Sequence, residues 1–152
     1  MMRTLDQNTV EQLAEHLEKA ELDAYEVTKI TDDYPEMTFT DATDIQWQIR
    51  RNKEARGVKM VGMKMGLTSW AKMEQMGVEQ PCYGFLAYYF SLPDGAEVQT
   101  RELLHPHVEA DLALVPRKAF MGPDVRIEEV LDATDVVCLF FTSDAAEHLP
   151  AG

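Results

Sequence analysis

The sequence predicts an α+β fold, on three observations. Apolar residues recur at helical spacing in the first third of the chain, and from Lys59 the period shortens to that of strands. Helices and strands also come in blocks, not in the alternation a βαβ sheet requires. A chain of 152 residues, 45% of them hydrophobic, can build a core without disulfide staples. No internal repeat, low-complexity tract or Gly/Ser linker divides it, so one domain is the economical expectation.

Val10, Leu13, Ala14 and Leu17 mark the first helix, with Glu11, Glu15, Glu18 and Lys19 placed off its apolar stripe. Asn8 and Thr9 are the expected N-cap, each followed three residues later by Glu11 or Gln12. A polar connection through Thr31, Asp32, Asp33 and Pro35 leads to Thr38 or Thr40, either of which can cap a second helix carrying Ala42, Ile45 and Ile49 up to Gly57. Arg50, Arg51, Lys53 and Arg56 suit the negative end of that helix's dipole, as a solvated cluster. Lys59 to Gly66 reads as a strand, with Gly62 and Gly66 indicating close backbone approach or a bend. Thr68 or Ser69 caps a short helix, Trp70 to Met76, stopped by Gly77. Pro81 to Phe90 reads as buried extended chain, Pro93-Asp94-Gly95 as a turn, and Val98 as part of a further strand. A strand over 107–115 follows, then a helix from Gly122-Pro123-Asp124 through Ile127, Val130 and Leu131, then β-prone Val136 to Phe141.

Lys and Arg number 14 against 27 Asp and Glu, a net charge of −13. Such an excess of acid repels phosphate backbones and anionic membrane surfaces, so neither nucleic acid nor a membrane is an expected partner. Residues 1–6 lack the pattern of a signal peptide, no apolar run approaches the ~18 residues of a span, and Cys82 and Cys138 have no metal-type spacing. These features point to the cytoplasm, with Cys82 an inert core thiol. The charge is uneven: −8 over 1–50, +1 over 51–100 and −6 over 101–152. The near-neutral middle is where an anionic small molecule is expected.

In the 107–115 segment every even position is apolar, while His107, Glu109 and Asp111 share the other face of a strand. Same-face neighbours stand about 6.5 Å apart, so two carboxylates can converge on one ion, and hard oxygen donors suit Mg²⁺ or Mn²⁺. The same pattern fits an amphipathic strand with its polar face in water, and two carboxylates need further ligands. Lys64, within Gly62-Met63-Lys64-Met65-Gly66, can bind a substrate carboxylate or donate a proton, or can simply reach solvent. Gly66-Leu67-Thr68-Ser69 runs into a helix start, where amides and hydroxyls can hold an anion or merely cap the helix.

These segments together resemble a known family. Gly62 to Met73, Gln75-Met76-Gly77-Val78, Pro81-x-Tyr83-Gly84-Phe85-Leu86, His105-Pro106-x-Val108-Glu109-Ala110-Asp111, Pro35 to Phe39 and Gln46-Trp47-x-Ile49-Arg50-Arg51 are similar to the hydratase/decarboxylase branch of the fumarylacetoacetate hydrolase superfamily. The likeness runs from about Thr4 to Val137 and is strongest to its 4-oxalocrotonate decarboxylases. It implies N-terminal helices plus part of a mixed β-roll whose C-terminal part is missing. Residues 1–137 would be the N-terminal half of such a domain, and 138–152 a divergent or displaced tail.

The resemblance further implies metal-dependent decarboxylation of 2-oxohex-3-enedioate to 2-oxopent-4-enoate in aromatic meta-cleavage catabolism. By this analogy Glu109 and Asp111 ligate Mg²⁺ or Mn²⁺, Lys64 handles substrate charge or a proton, and Gly66, Leu67, Thr68 and Ser69 bind substrate. The intact enzyme would be an oligomer, with a vinylpyruvate hydratase as partner. The family usually carries Glu where Asp111 stands, and its third ligand, a glutamate shortly after the strand matching Val136 and Val137, has no counterpart in Cys138 to Asp144. The alternatives are a vinylpyruvate hydratase, or a non-catalytic fragment that associates with a partner subunit through apolar surface along Val136 to Phe141. Hydratases of this kind carry an aspartate where Cys82 stands, which favours decarboxylation.

Overall fold

The computed structural model describes residues 2–120 and 122–144. They fall into two compact units, 2–99 and 100–144, each taken by itself below.

In the first unit, α1 (Gln7–Asp23) packs against α3 (Phe39–Ala55). Val10, Leu13, Ala14 and Ile45 form the core, with Leu5, Leu17, Ile30, Tyr34, Met37 and Ile49 packed around it. Asp6, not Asn8 or Thr9, is the N-cap of α1: its carboxylate accepts from the Thr9 amide at 2.8 Å. The helix therefore starts two or three residues earlier than those candidates indicate. The polar connection holds a short helix, α2 (Ile30–Asp33).

Thr38 caps α3 in a reciprocal box with Asp41. Asp41 is fully buried, and its carboxylate accepts from the amides of Thr4, Leu5 and Thr38 and from the hydroxyls of Thr4 and Thr38, at 2.6 to 3.1 Å. Burial alone would raise its pKa, but these hydrogen bonds outweigh that and hold the carboxyl well below its ordinary range. A segment before α1 is thus fastened to the start of α3. Gly57, at φ +84°, closes the far end of α3, as expected.

The basic end of α3 is not a solvated cluster throughout. Lys53 is buried, and its ammonium donates to both Glu21 oxygens at 2.8 and 2.9 Å and to the Tyr89 hydroxyl at 2.5 Å. Arg56 pairs with the buried Glu18. Burial pushes the Lys53 pKa down, but the hydrogen bonds and charge of Glu21 and Tyr89 prevail and raise it. The cause lies in α1, where Glu18 follows Val10 and Ala14, and Glu21 follows Leu13 and Leu17, at steps of four. Both acids continue the stripe that faces α3.

A two-stranded antiparallel ladder completes this unit: β1 (Met60–Gly66) pairs with β2 (Cys82–Ala87), and α4 (Trp70–Met76) lies between them in sequence. Ser69 caps α4 and Gly77 ends it, as the sequence indicates. The register shifts between Met60 and Gly62, so Gly62 marks an irregularity in the strand. A Cβ on Gly62 would meet only ordinary contact, Leu86 Cδ1 at 3.7 Å, so close backbone approach is not the reason for it. Cys82 is exposed rather than a core thiol, because it stands at the open start of an edge strand. No strand forms at Val98; a turn at Pro93–Ala96 is followed by irregular chain and a 3₁₀ turn, Thr100–Glu102.

The second unit is built on β3 (His107–Pro116) and β4 (Thr134–Asp144), paired antiparallel from His107 opposite Asp144 to Pro116 opposite Thr134. The ladder passes position 138 without a register shift, so β4 extends through Asp144; residues 145–152 of the expected tail lie outside the described residues. The helix between the strands, α5 (Ile127–Ala133), begins later than the Gly122-Pro123-Asp124 signal indicates. Glu129 accepts from the Arg126 amide at 2.8 Å and sets the start there, while Gly122, at φ +84°, belongs to the turn before it. Among the described residues no helix is long and apolar enough to cross a membrane.

Candidate functional site

Lys64 stands in the middle of β1, half-buried, opposite Gly84. Its ladder is anchored to α3 through β2. Gln46 donates to the Tyr83 carbonyl at 2.6 Å, Trp47 meets Phe85 edge to face at 4.8 Å between centroids, and the Arg50 guanidinium lies 5.0 Å from the Trp47 ring and 4.7 Å from that of Phe85. A lysine on a ribbon held this way has a fixed backbone position, which a substrate-binding cation requires.

Gly66 ends β1 opposite Cys82, and the chain then turns sharply. Leu67 takes φ +54°, a left-handed conformation that an L side chain adopts at a cost of about 1 kcal/mol. Thr68 and Ser69 are exposed, and the Ser69 hydroxyl oxygen accepts from the Lys72 amide at 3.3 Å, so its capping role is directly visible. The segment Gly66, Leu67, Thr68 and Ser69 therefore belongs to the same unit as Lys64 and follows it along one strand and turn.

Glu109 and Asp111 belong to the second unit, at alternate positions of β3 opposite Thr142 and Phe140. Asp111 is half-buried, and the side chain of Glu109 lies outside what the structure describes. Among its described side chains β3 is exposed on both faces, with His107 and Val115 on one and Val108, Leu112 and Leu114 on the other. Val108 and Leu112 are 79% and 76% exposed, whereas Asp111 on the other face is partly covered. Among the described residues no group of three or more His, Cys, Asp or Glu side chains gathers closely enough to hold a metal ion. Two hard oxygen donors nonetheless suit Mg²⁺, which binds through one or two carboxylates and completes its shell with water and substrate oxygens.

The cluster of buried Lys53 and Glu18 with the exposed Glu21 and half-buried Tyr89 is not legible from residue types alone. The available signal was two glutamates continuing an apolar stripe at steps of four.

Comparison with known proteins decides the affiliation. The chain is 59% identical over 137 residues to 4-oxalocrotonate decarboxylase of Pseudomonas sp. (strain CF600), a match covering 90% of this chain and 52% of that one. It is 35% identical over 138 residues to 2-hydroxyhexa-2,4-dienoate hydratase of Comamonas testosteroni, with the same coverage of 90% and 52%. The backbone follows that of 4-oxalocrotonate decarboxylase from Pseudomonas putida G7, solved with magnesium and adipate, at a TM-score of 0.93 and 51% identity. That match covers 98% of this chain and 57% of the solved one. Over nine-tenths of its length the chain is similar to proteins of this hydratase/decarboxylase group. No family model matches it. It spans about half the length of the curated relatives it matches, and its mixture of helices and small sheets is part of the family fold. A second structure of the Pseudomonas putida G7 enzyme, with calcium and acetate, matches at a TM-score of 0.90 and 54% identity, covering 93% of this chain and 55% of that one.

Proposed function

We propose that this chain carries part of a divalent-metal-dependent carboxy-lyase acting on 2-oxohex-3-enedioate, in aromatic meta-cleavage catabolism in the cytoplasm. The observation that carries this reading is the 59% identity to a 4-oxalocrotonate decarboxylase over 137 residues, against 35% to a hydratase over a similar length. The magnesium and adipate held by the solved relative agree with a metal and a six-carbon dicarboxylate as ligands.

In the reaction the C5–C6 bond of the substrate breaks and CO₂ leaves. The electron pair moves through the conjugated chain to the 2-oxo group, and a proton added at C3 gives 2-oxopent-4-enoate. Glu109 and Asp111 hold Mg²⁺ or Mn²⁺, which when bound supplies Lewis-acid polarisation of the 2-oxo group. Asp111 reaches less far than the glutamate usual in the family, which weakens the pair's hold on the ion. Lys64 offers positive charge to a substrate carboxylate and a proton to the dienolate carbon. Gly66, Leu67, Thr68 and Ser69 supply amides and hydroxyls to substrate oxygens. Residues 1–137 act as the N-terminal half of the catalytic domain and 138–152 as its divergent tail. A vinylpyruvate hydratase subunit is the expected partner in an oligomer.

The test is turnover of 2-oxohex-3-enedioate with Mg²⁺ or Mn²⁺, followed by loss of substrate absorbance and release of CO₂, with melting temperature read in parallel. The expected outcome is CO₂ release and metal-dependent stabilisation, both abolished by Glu109→Ala, with turnover but not stabilisation lost in Lys64→Ala. A chain that neither binds metal nor turns over substrate would sink the reading. Hydration of 2-oxopent-4-enoate without CO₂ release would replace it with the hydratase.

A further inference from the structure

We infer that Gln46 is a positioning residue for Lys64, pegging β2 so that the ladder keeps the register in which Lys64 stands opposite Gly84. That Lys64 is the group being placed rests on the proposed decarboxylase reading; the register itself does not. β1 contributes no buried side chain that would set its pairing, and the neighbours of Lys64 on its side of the ladder are Gly62 and Gly66, with Gly84 across from it. Glycine-rich strands specify register weakly, and a slip of one residue turns a side chain to the other face. The ladder already contains such an offset. From Met60 opposite Ala87 to Gly62 opposite Leu86, β1 advances two residues and β2 one.

Attachments hold the strands on both sides of that offset. Before it, the Val58 amide donates to the Lys53 carbonyl at 3.0 Å, the Tyr88 amide donates to the Lys59 carbonyl at 2.9 Å, and Lys53 donates to the Tyr89 hydroxyl. These fix the Met60 and Ala87 end, but the offset lies between them and Lys64. On the Lys64 side, Gln46 Nε2 donates to the Tyr83 carbonyl at 2.6 Å, one residue from Gly84, and lies 4.0 Å from where a Cβ on Gly84 would stand. Gln46 follows Ile45, which is 2% exposed in the core between α1 and α3, so its amide is carried on a rigid support. The Trp47 ring and the Arg50 guanidinium also meet Phe85. Ring contacts tolerate sliding, whereas a short hydrogen bond selects one carbonyl.

The test reads the register directly. In a Cys138→Ser chain, whose remaining native thiol is Cys82, oxidised glutathione cross-links Cys82 to Gly66→Cys, its partner in the present register, or to Met65→Cys, its partner after a slip of one residue. The first cross-link should form about tenfold faster than the second. Gln46→Glu keeps the shape of the side chain but, ionised, cannot donate, and should bring the two rates within about threefold. Acetylation of Lys64 by acetic anhydride, read by mass spectrometry against exposed Lys72, should rise about threefold in Gln46→Glu, as Lys64 turns to the side where Met63 and Met65 are exposed. Gln46→Asn, one methylene too short to reach the carbonyl, should give the same pattern and replaces Gln46→Glu if that variant does not fold. A role confined to stability would lower the urea midpoint and leave the cross-link ratio and Lys64 acetylation at their parental values. That result overturns the inference, as does a parent chain in which Met65→Cys cross-links as fast as Gly66→Cys. None of these readouts needs turnover, so a chain that fails to decarboxylate counts against the proposed function and not against the peg.

Discussion

Residues 2–99 and 100–144 are built from similar material and finish differently. In the first unit two helices of 17 residues close on each other, bury Val10, Leu13, Ala14 and Ile45, and fasten their ends with buried charges, each supplied with partners. In the second a long ladder and a seven-residue helix leave Val108, Leu112, Leu114, Ile127 and Leu131 in solvent, and Ala133 is the sole residue of that unit among the buried hydrophobics described. Hydrogen-bonded strands alone do not remove apolar surface from water; a second layer does. The paired helices make a core, whereas each two-stranded ladder is a surface, β1 with Val61, Met63 and Met65 exposed as well as β3.

The largest effect should come from the core itself. Ile45→Ala removes a side chain only 2% exposed and should cost about 4 kcal/mol in urea unfolding. Tryptophan fluorescence isolates this unit, because Trp47 and Trp70 both lie in it. Next, Lys53→Met takes the ammonium away from the buried Glu18, 3.7 Å distant, and from Glu21 and Tyr89, and should cost about 2 kcal/mol by the same readout, Glu18 keeping Arg56 as partner. If the cost is instead near zero, the network belongs with exposed ion pairs and the contrast between the units weakens. Thr38→Ala should cost about 1 kcal/mol through loss of the cap. By contrast Leu112→Ala, at a large apolar residue of the second unit, should change stability by less than about 0.5 kcal/mol, since nothing described covers it.

A pH titration sharpens the comparison further. Asp41 has its carboxyl depressed in the folded state, so its contribution is whole above its unfolded pKa of about 4 and is lost as pH falls toward the lower folded value. Acid unfolding followed by tryptophan fluorescence should therefore shift to higher pH in Asp41→Asn. No shift would mean that the hydrogen bonds serve the neutral amide equally well.

Much of the local structure was legible beforehand. Ser69 and Gly77 bound α4, Gly57 closes α3, and the alternation over 107–115 is a strand, because each rests on chemistry within a few residues. The errors lie where a distant segment or its absence decides. Val98 has strand character but no described strand beside it, and Cys82 lies in an apolar run that nothing covers at its start. Of the candidate site, the positions of Lys64, Glu109 and Asp111 on strands were readable from periodicity and the family motifs, since alternation is a property of the backbone. From the sequence Lys53 reads as solvated, because its partners, Glu21 and Tyr89, are 32 and 36 residues away.

By itself, then, the sequence determined the periods, the caps and the family pattern, all of which are written in spacings of two to seven residues. Only the tertiary structure decided which charges are buried and that the apolar residues of β3 are exposed. Burial is not a property of a residue but of what packs against it, and for Asp41, Lys53 and Leu112 that is set by chain elsewhere in the fold, or by its absence among the described residues.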